Sequence, residues 1–145
     1  MIGILSALKV SIINGELKPI GELLNASLFS DFLEMAAYLL EEGYKDPAAV
    51  IIGSVLEEHI RKLCIKNSVP LDFIDPKGST KVKKFDVLNA DLKKSGVYGV
   101  LDQQNLTAWY ALRNKAAHGH YGDYDKKQVE LLLQSVRDFI TRHPA

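Results

Sequence analysis

Cysteine is nearly absent: Cys64 stands alone, which excludes an intrachain disulfide and any cysteine-ligated zinc site. A net charge is absent too. Eighteen basic and eighteen acidic residues cancel, which removes any whole-protein argument for nucleic-acid binding. No apolar run approaches the roughly 18 residues that span a bilayer, so no membrane partner is expected. The opening stretch MIGILSALKVSIING has no basic leader, Lys9 interrupts it, and no small-residue cleavage site follows. A signal peptide is therefore not expected, and a cytoplasmic location is. What remains is ordinary for a globular protein, 47% hydrophobic and 25% charged, and 145 residues suit a single domain.

The cancelled charge hides an asymmetry. Residues 1–60 carry three basic and nine acidic side chains, residues 61–115 carry eleven and five, and residues 116–145 carry four of each. Within the positive middle, Lys77, Lys81, Lys83, Lys84, Lys93 and Lys94 form a cluster. It can attract a polyanion or simply keep a loop solvated.

Helical periodicity dominates. Ile2–Ile13 is apolar nearly all round and requires cover from other helices or a second chain. Gly15, Pro19 and Gly21 punctuate the chain before a helix from about Ile20 to Glu42, on which Leu24, Leu28, Phe32, Met35 and Leu39 form one stripe. Gly43 supplies a left-handed stop. Asp46 reads as the cap of a third helix with Pro47 at its first position. That helix runs to about Lys66, with Ala49, Gly53, Leu56, Ile60 and Leu63 on one face, and Val50, Ile51 and Val55 make its first half apolar elsewhere too. Residues 67–85, with Pro70, Pro76, Gly78 and Ser79, read as a long loop of the functional or mobile kind.

A short helix follows over Asp86–Lys94. The next, over about Tyr98–Ala117, has Leu101, Asn105, Ala108, Leu112 and Ala116 as its inner stripe. Asp123 or Asp125 caps a last helix to about Arg142, with Val129, Leu132, Leu133, Val136, Phe139 and Ile140 inside. No stretch alternates convincingly between hairpin turns. The expectation is an all-α fold: a helical bundle of about four main helices plus an N-terminal helix and a short helix.

Chemistry concentrates in Leu112–Tyr124, LRNKAAHGHYGDY, where four residues separate Arg113 from His118 at a helix end. Histidine titrates near neutrality and can act as base or acid. Arginine stays charged and offers a planar fork to phosphate oxygens. Together they offer a proton carrier and an anion-binding cation. His118 and His120 make a two-histidine pair with no third ligand nearby, so no metal and no cofactor are expected. Five helical positions separate Arg113 and His118 by about 140°, but Gly119 breaks the helix where His118 stands, so its ring need not follow the wheel.

Arg113, a polar Asn114, three further residues and His118 resemble the signature of the HEPN superfamily, small helical bundles found in ribonucleases and defence systems. The surroundings are similar as well: a long helix bearing Glu57 and Arg61 on its edge, a variable excursion, the helix ending in this motif, and a final amphipathic helix. The resemblance covers roughly residues 25–142 and leaves 1–20 as an N-terminal extension of the single domain.

The resemblance implies a homodimer whose two motifs converge on one cleft, so that His118 faces His118 of the partner. The apolar segment Ile2–Ile13 and the apolar start of the third helix are surfaces on which such a dimer can form. Arg113 would stabilise the phosphate, His118 would move protons, and Asn114 would hold a phosphate oxygen or orient the histidine. Lys81, Lys83, Lys84 and Lys115 are the candidates for gathering the RNA backbone. Glu57 has two readings, an exposed pair with Arg61 four residues on or a carboxylate that orients Arg113.

The implied activity is metal-independent endoribonuclease, in phage defence or in a toxin–antitoxin pair. The other reading is a non-catalytic HEPN-like module that binds RNA, a nucleotide or a protein. Some members carry a tyrosine shortly after the histidine that a partner nucleotidyltransferase modifies; Tyr121 stands one residue later than that pattern. The implied partners are thus RNA, an antitoxin or a nucleotidyltransferase. Trp109, one turn before Arg113, has the two readings of a base-stacking surface and a packed core residue.

Overall fold

A computed structural model describes residues 17–145. The N-terminal helix expected over Ile2–Ile13 lies outside the described residues. Five α-helices follow: α1 (Leu17–Glu41), α2 (Lys45–Lys66), α3 (Phe85–Lys94), α4 (Val100–Ala117) and α5 (Lys126–Arg142). A small antiparallel pair, β1 (Asp72–Ile74) and β2 (Thr80–Val82), stands between α2 and α3. The architecture is an all-α helical bundle in which α2 packs against each of the other four helices. No helix among the described residues is long and apolar enough to cross a membrane.

The helix ends follow local chemistry. At Gly43 (φ +89°) the chain turns left-handed, and the amides of Gly43 and Tyr44 return to the carbonyls of Leu40 and Leu39. This glycine-terminated motif joins α1 and α2 by a short connection. Pro19 and Gly21 lie inside α1 rather than before it. Proline is tolerated there because the first-turn amides have no intrahelical acceptor.

Asp46 is not the cap of α2 but its second residue, after Tyr44 and Lys45. Its carboxylate instead receives the Lys45 ammonium and the Tyr124 hydroxyl. Burial opposes the charge of Asp46, yet these two donors outweigh it and hold its pKa below the usual carboxylate value. Asp125 caps α5 in a reciprocal box with Gln128, each side chain bonding the other's backbone amide at 2.8 Å.

Three further sequence expectations change. Residues 67–85 are not a structureless loop. Asp75, Pro76, Lys77 and Gly78 form a tight turn in which Gly78 is left-handed and Asp75 Oδ1 accepts from the amides of Lys77 and Ser79. This turn pairs Phe73 with Lys81. Every residue of both strands is exposed, so neither strand shows the half-buried alternation by which strands are found.

On α1, three members of the stripe read from spacing face outward, Leu28, Phe32 and Met35 being 55%, 47% and 51% exposed, while Leu39 packs partly buried against the core. The neighbouring positions Phe29, Leu33, Ala36 and Leu40 are the buried ones. On α4, Leu101 and Ala108 are exposed, whereas Leu106 and Ala116 are buried and Trp109, Tyr110 and Arg113 are partly covered. Trp109 meets the core edge-on against Phe139.

The core runs along α2 and α5, from Ile52, Leu56, Ile60 and Leu63 to Val129, Leu132, Val136 and Phe139. Cys64 is a fully buried member of it, and burial pushes its thiol up to about 11. Two polar residues are also buried. Asn89 of α3 donates to Gln103 O and Thr107 Oγ1 and accepts from the Tyr98 hydroxyl, which ties α3 to α4. His59 bonds the His143 carbonyl at 2.7 Å between the rings of Phe29 and Phe139. Arg142 forks onto Asp102, fixing the end of α5 to the start of α4.

Candidate functional site

The site begins with a missing side chain. Gly53 is buried in the middle of α2, where glycine costs a helix about 1 kcal/mol relative to alanine. A Cβ there would lie 2.0 Å from Arg113 Cγ and 2.4 Å from Arg113 Cβ. The stem of Arg113 therefore rests on the bare backbone of α2. That close approach delivers its guanidinium one helical turn along α2, to Glu57, with Nη2 3.6 Å from Oε2.

Nη1 of Arg113 donates to Asn114 Oδ1 at 3.2 Å, and Cζ lies 5.4 Å from the centre of the Tyr110 ring. Tyr110 in turn stacks flat on Phe85 at 4.0 Å. Nε of Arg113 is buried and has no hydrogen-bond partner among the described residues. The guanidinium is thus oriented on three sides, with donors left over for an anion. Of the two readings of Glu57, the structure realises the contact with Arg113 and leaves Arg61 without an ion pair or hydrogen bond among the described residues.

His118 caps the C-terminal end of α4. The Gly119 amide returns to Ala116 O and the His120 amide to Lys115 O, with Gly119 at φ +80°. This is the helix-terminating motif in which the residue after the cap must be left-handed. The His118 ring is exposed, and among the described residues it makes no hydrogen bond or ion pair. Among the described residues no hydrogen bond, ion pair or ring contact joins it to Arg113.

The segment after it is tied down. The Lys45 ammonium bonds Tyr121 O and lies 4.0 Å from the centre of the Tyr124 ring, while Tyr124 donates to Asp46. Burial and the Asp46 carboxylate push the Tyr124 phenol above its usual range. Tyr124 is thereby buried, and Tyr121 is half exposed.

A cleft of about 570 Å³ adjoins Arg113, with Glu57, Lys83, Lys84, Tyr110 and Asn114 among its lining. Asn114 and Glu57 thus both touch Arg113 and face this cleft. Lys83 is mostly buried, its ammonium 2.8 Å from Asp91 Oδ2, so it braces the hairpin against α3. Lys84 is exposed just before α3, Lys81 is exposed on β2, and Lys115 is exposed in the last turn of α4. Lys81, Lys115 and His118 stand apart from the cleft lining. Among the described residues no three His, Cys, Asp or Glu side chains are grouped to hold a metal ion.

Sequence reasoning missed Gly53, Tyr110 and Arg61 as neighbours of the motif. Gly53 alone left a signal, since a glycine in a helix interior usually marks a close backbone approach. Gly53→Ala is expected to lower the unfolding free energy by about 1–2 kcal/mol, the overpacking against Arg113 exceeding the gain in helix propensity. Urea denaturation of the variant measures this. In the Arg113→Gly background the same substitution becomes stabilising, and a gain of stability in the Arg113 background would refute the contact. No protein-family profile, curated protein or solved structure matches this chain.

Proposed function

We propose that the chain is a metal-independent endoribonuclease, HEPN-like, whose working site is composed at a homodimer interface. The observation that carries this reading is the fixed guanidinium of Arg113. It is seated on Gly53, oriented by Glu57 and Asn114, and retains unused donors at the edge of a cleft. His118, exposed on a terminated helix five residues on, supplies an imidazole that can act as base or acid.

In the reaction, one His118 takes the proton from a ribose 2′-hydroxyl, and that oxygen attacks the adjacent phosphorus. The bond from phosphorus to the 5′-oxygen breaks, and His118 of the other protomer protonates the leaving oxygen. Arg113 bears on the non-bridging oxygens, where negative charge accumulates. Each protomer contributes the same two groups, so a two-fold axis supplies acid and base from one residue type. The phage-defence or toxin–antitoxin setting, with an antitoxin or nucleotidyltransferase as partner, belongs to the same reading, as does a cytoplasmic location.

The test is incubation of the purified protein with mixed single-stranded RNA in EDTA. Cleavage leaving 2′,3′-cyclic phosphate ends is the expected result; intact RNA, or cleavage that EDTA abolishes, overturns the reading. One observation favours a non-catalytic RNA-binding module instead: among the described residues no hydrogen bond, ion pair or ring contact joins the His118 ring to Arg113. That reading predicts RNA binding with a steep salt dependence and no product.

A further inference from the structure

The cleft beside Arg113 holds more positive charge than its own contacts consume. Its lining comes from α2 (Glu57 and Arg61), the foot of the hairpin (Lys83 and Lys84), the first turn of α3 (Asp86) and α4 (Tyr110 and Asn114). Glu57 is turned to Arg113 and Lys83 to Asp91. Arg61 and Lys84 also line the cleft, and among the described residues neither side chain has a hydrogen bond or ion pair. Asp86, also in the lining, is the one acidic group there without an ion pair among the described residues. The Asn114 Oδ1 is taken by Arg113, which leaves its amide nitrogen as a donor.

We infer that this cleft is the seat of the RNA backbone adjoining the linkage that Arg113 addresses. Arg61 and Lys84 engage phosphate oxygens of one flanking phosphodiester, and Asn114 donates beside them. The inference rests on the ribonuclease reading for its substrate class. It adds a strand path along α2 and the foot of the hairpin, and it assigns Arg61 a role that its spacing from Glu57 did not suggest. A guanidinium from α2 and an ammonium from the foot of the hairpin, both lining one cleft, suit a tetrahedral anion, because the fork fixes direction and the flexible amine adapts to it. The volume suits one or two nucleotides rather than a duplex.

The experiment measures binding of the full chain to a 2′-O-methyl oligoribonucleotide, which cannot be cleaved because it has no free 2′-hydroxyl. Fluorescence anisotropy is followed across a salt series. Wild type is expected to bind with an affinity that falls as salt rises. Arg61→Gln and Lys84→Gln each weaken binding and each flatten the log–log salt slope by about 0.7, the value for one phosphate contact on a single strand. Arg61→Lys keeps the slope, and Lys94→Gln, at the far end of α3, changes nothing. Circular dichroism reports whether each variant is folded.

Binding by wild type that Arg61→Gln and Lys84→Gln leave untouched overturns the inference, and so does absence of binding at low salt. If unmodified RNA stays intact while both variants lose affinity and slope, the ribonuclease reading falls and the backbone seat stands.

Discussion

On the proposed ribonuclease reading, His118→Ala is expected to lower the rate of RNA cleavage by about 10²–10⁴-fold for each proton transfer it removes. In a composite site the substitution removes the acid and the base together, so the loss lies at the upper end or beyond. A mixed dimer of wild-type and His118→Ala protomers separates composite from independent sites. If the one cleft draws an imidazole from each chain, the mixed dimer loses one of the two proton transfers and its rate falls about 10²–10⁴-fold. If each chain works alone, it keeps half the wild-type rate, and the two-fold arrangement is refuted.

Arg113→Lys preserves charge but gives up the planar fork over Tyr110 and the contact with Asn114. It should therefore lower kcat more than it raises KM, because the lost donors act on charge that develops in the transition state. Steady-state kinetics on a defined oligoribonucleotide gives the split, and a lowered melting temperature of Arg113→Lys would signal a structural effect instead.

Acidification destabilises the native state through His59, by about 3 kcal/mol between neutral pH and pH 4. Burial between Phe29 and Phe139 pushes its pKa from 6.5 down to about 4. Nε2 donates to the His143 carbonyl, and Nδ1 is buried with no partner among the described residues, so the second proton would enter a site that offers it no acceptor. The sign follows from the depressed value. Above about pH 6.5 the ring is neutral folded and unfolded, and its contribution is fully present. As pH falls the unfolded chain takes up the proton first, and stability declines until the folded pKa is passed near 4. Urea unfolding at pH 7, 5.5 and 4.5 measures the slope. His59→Gln, which can still donate to His143 O, should flatten it; parallel slopes in wild type and variant would assign the acid sensitivity to other groups.

Legibility in the sequence depended on how local each signal was. Helix ends at Gly43 and Gly119 are set by single residues that tolerate positive φ, and the structure has both where spacing placed them. The inner face of α5 also follows its spacing, because only one side of that helix is apolar. On α1 two adjacent stripes are apolar, Leu28–Phe32–Met35 and Phe29–Leu33–Ala36–Leu40, and periodicity alone does not say which one meets α2. The hairpin escaped for the opposite reason: its strands bury nothing, and its turn, built on Asp75 and Gly78, holds it by backbone and side-chain bonds.

At the candidate site, the residue types were readable and their grouping was not. Arg113, Asn114 and His118 stand in one short stretch, but Glu57 is an equally good partner for Arg61 on helical spacing alone.

By itself the sequence determined an all-helical chain, the positions of most of its helix ends, and a guanidinium and imidazole on one helix terminus. These follow from hydrophobic period, glycine conformation and residue chemistry, all of which act within a few neighbours. Tertiary structure decided which stripe of α1 and α4 turns inward, that Glu57 faces Arg113, and that Arg61 and Lys84 share a cleft. Those outcomes depend on how closely α2 and α4 approach, and that distance is set where the missing side chain of Gly53 meets the stem of Arg113, sixty positions later in the chain.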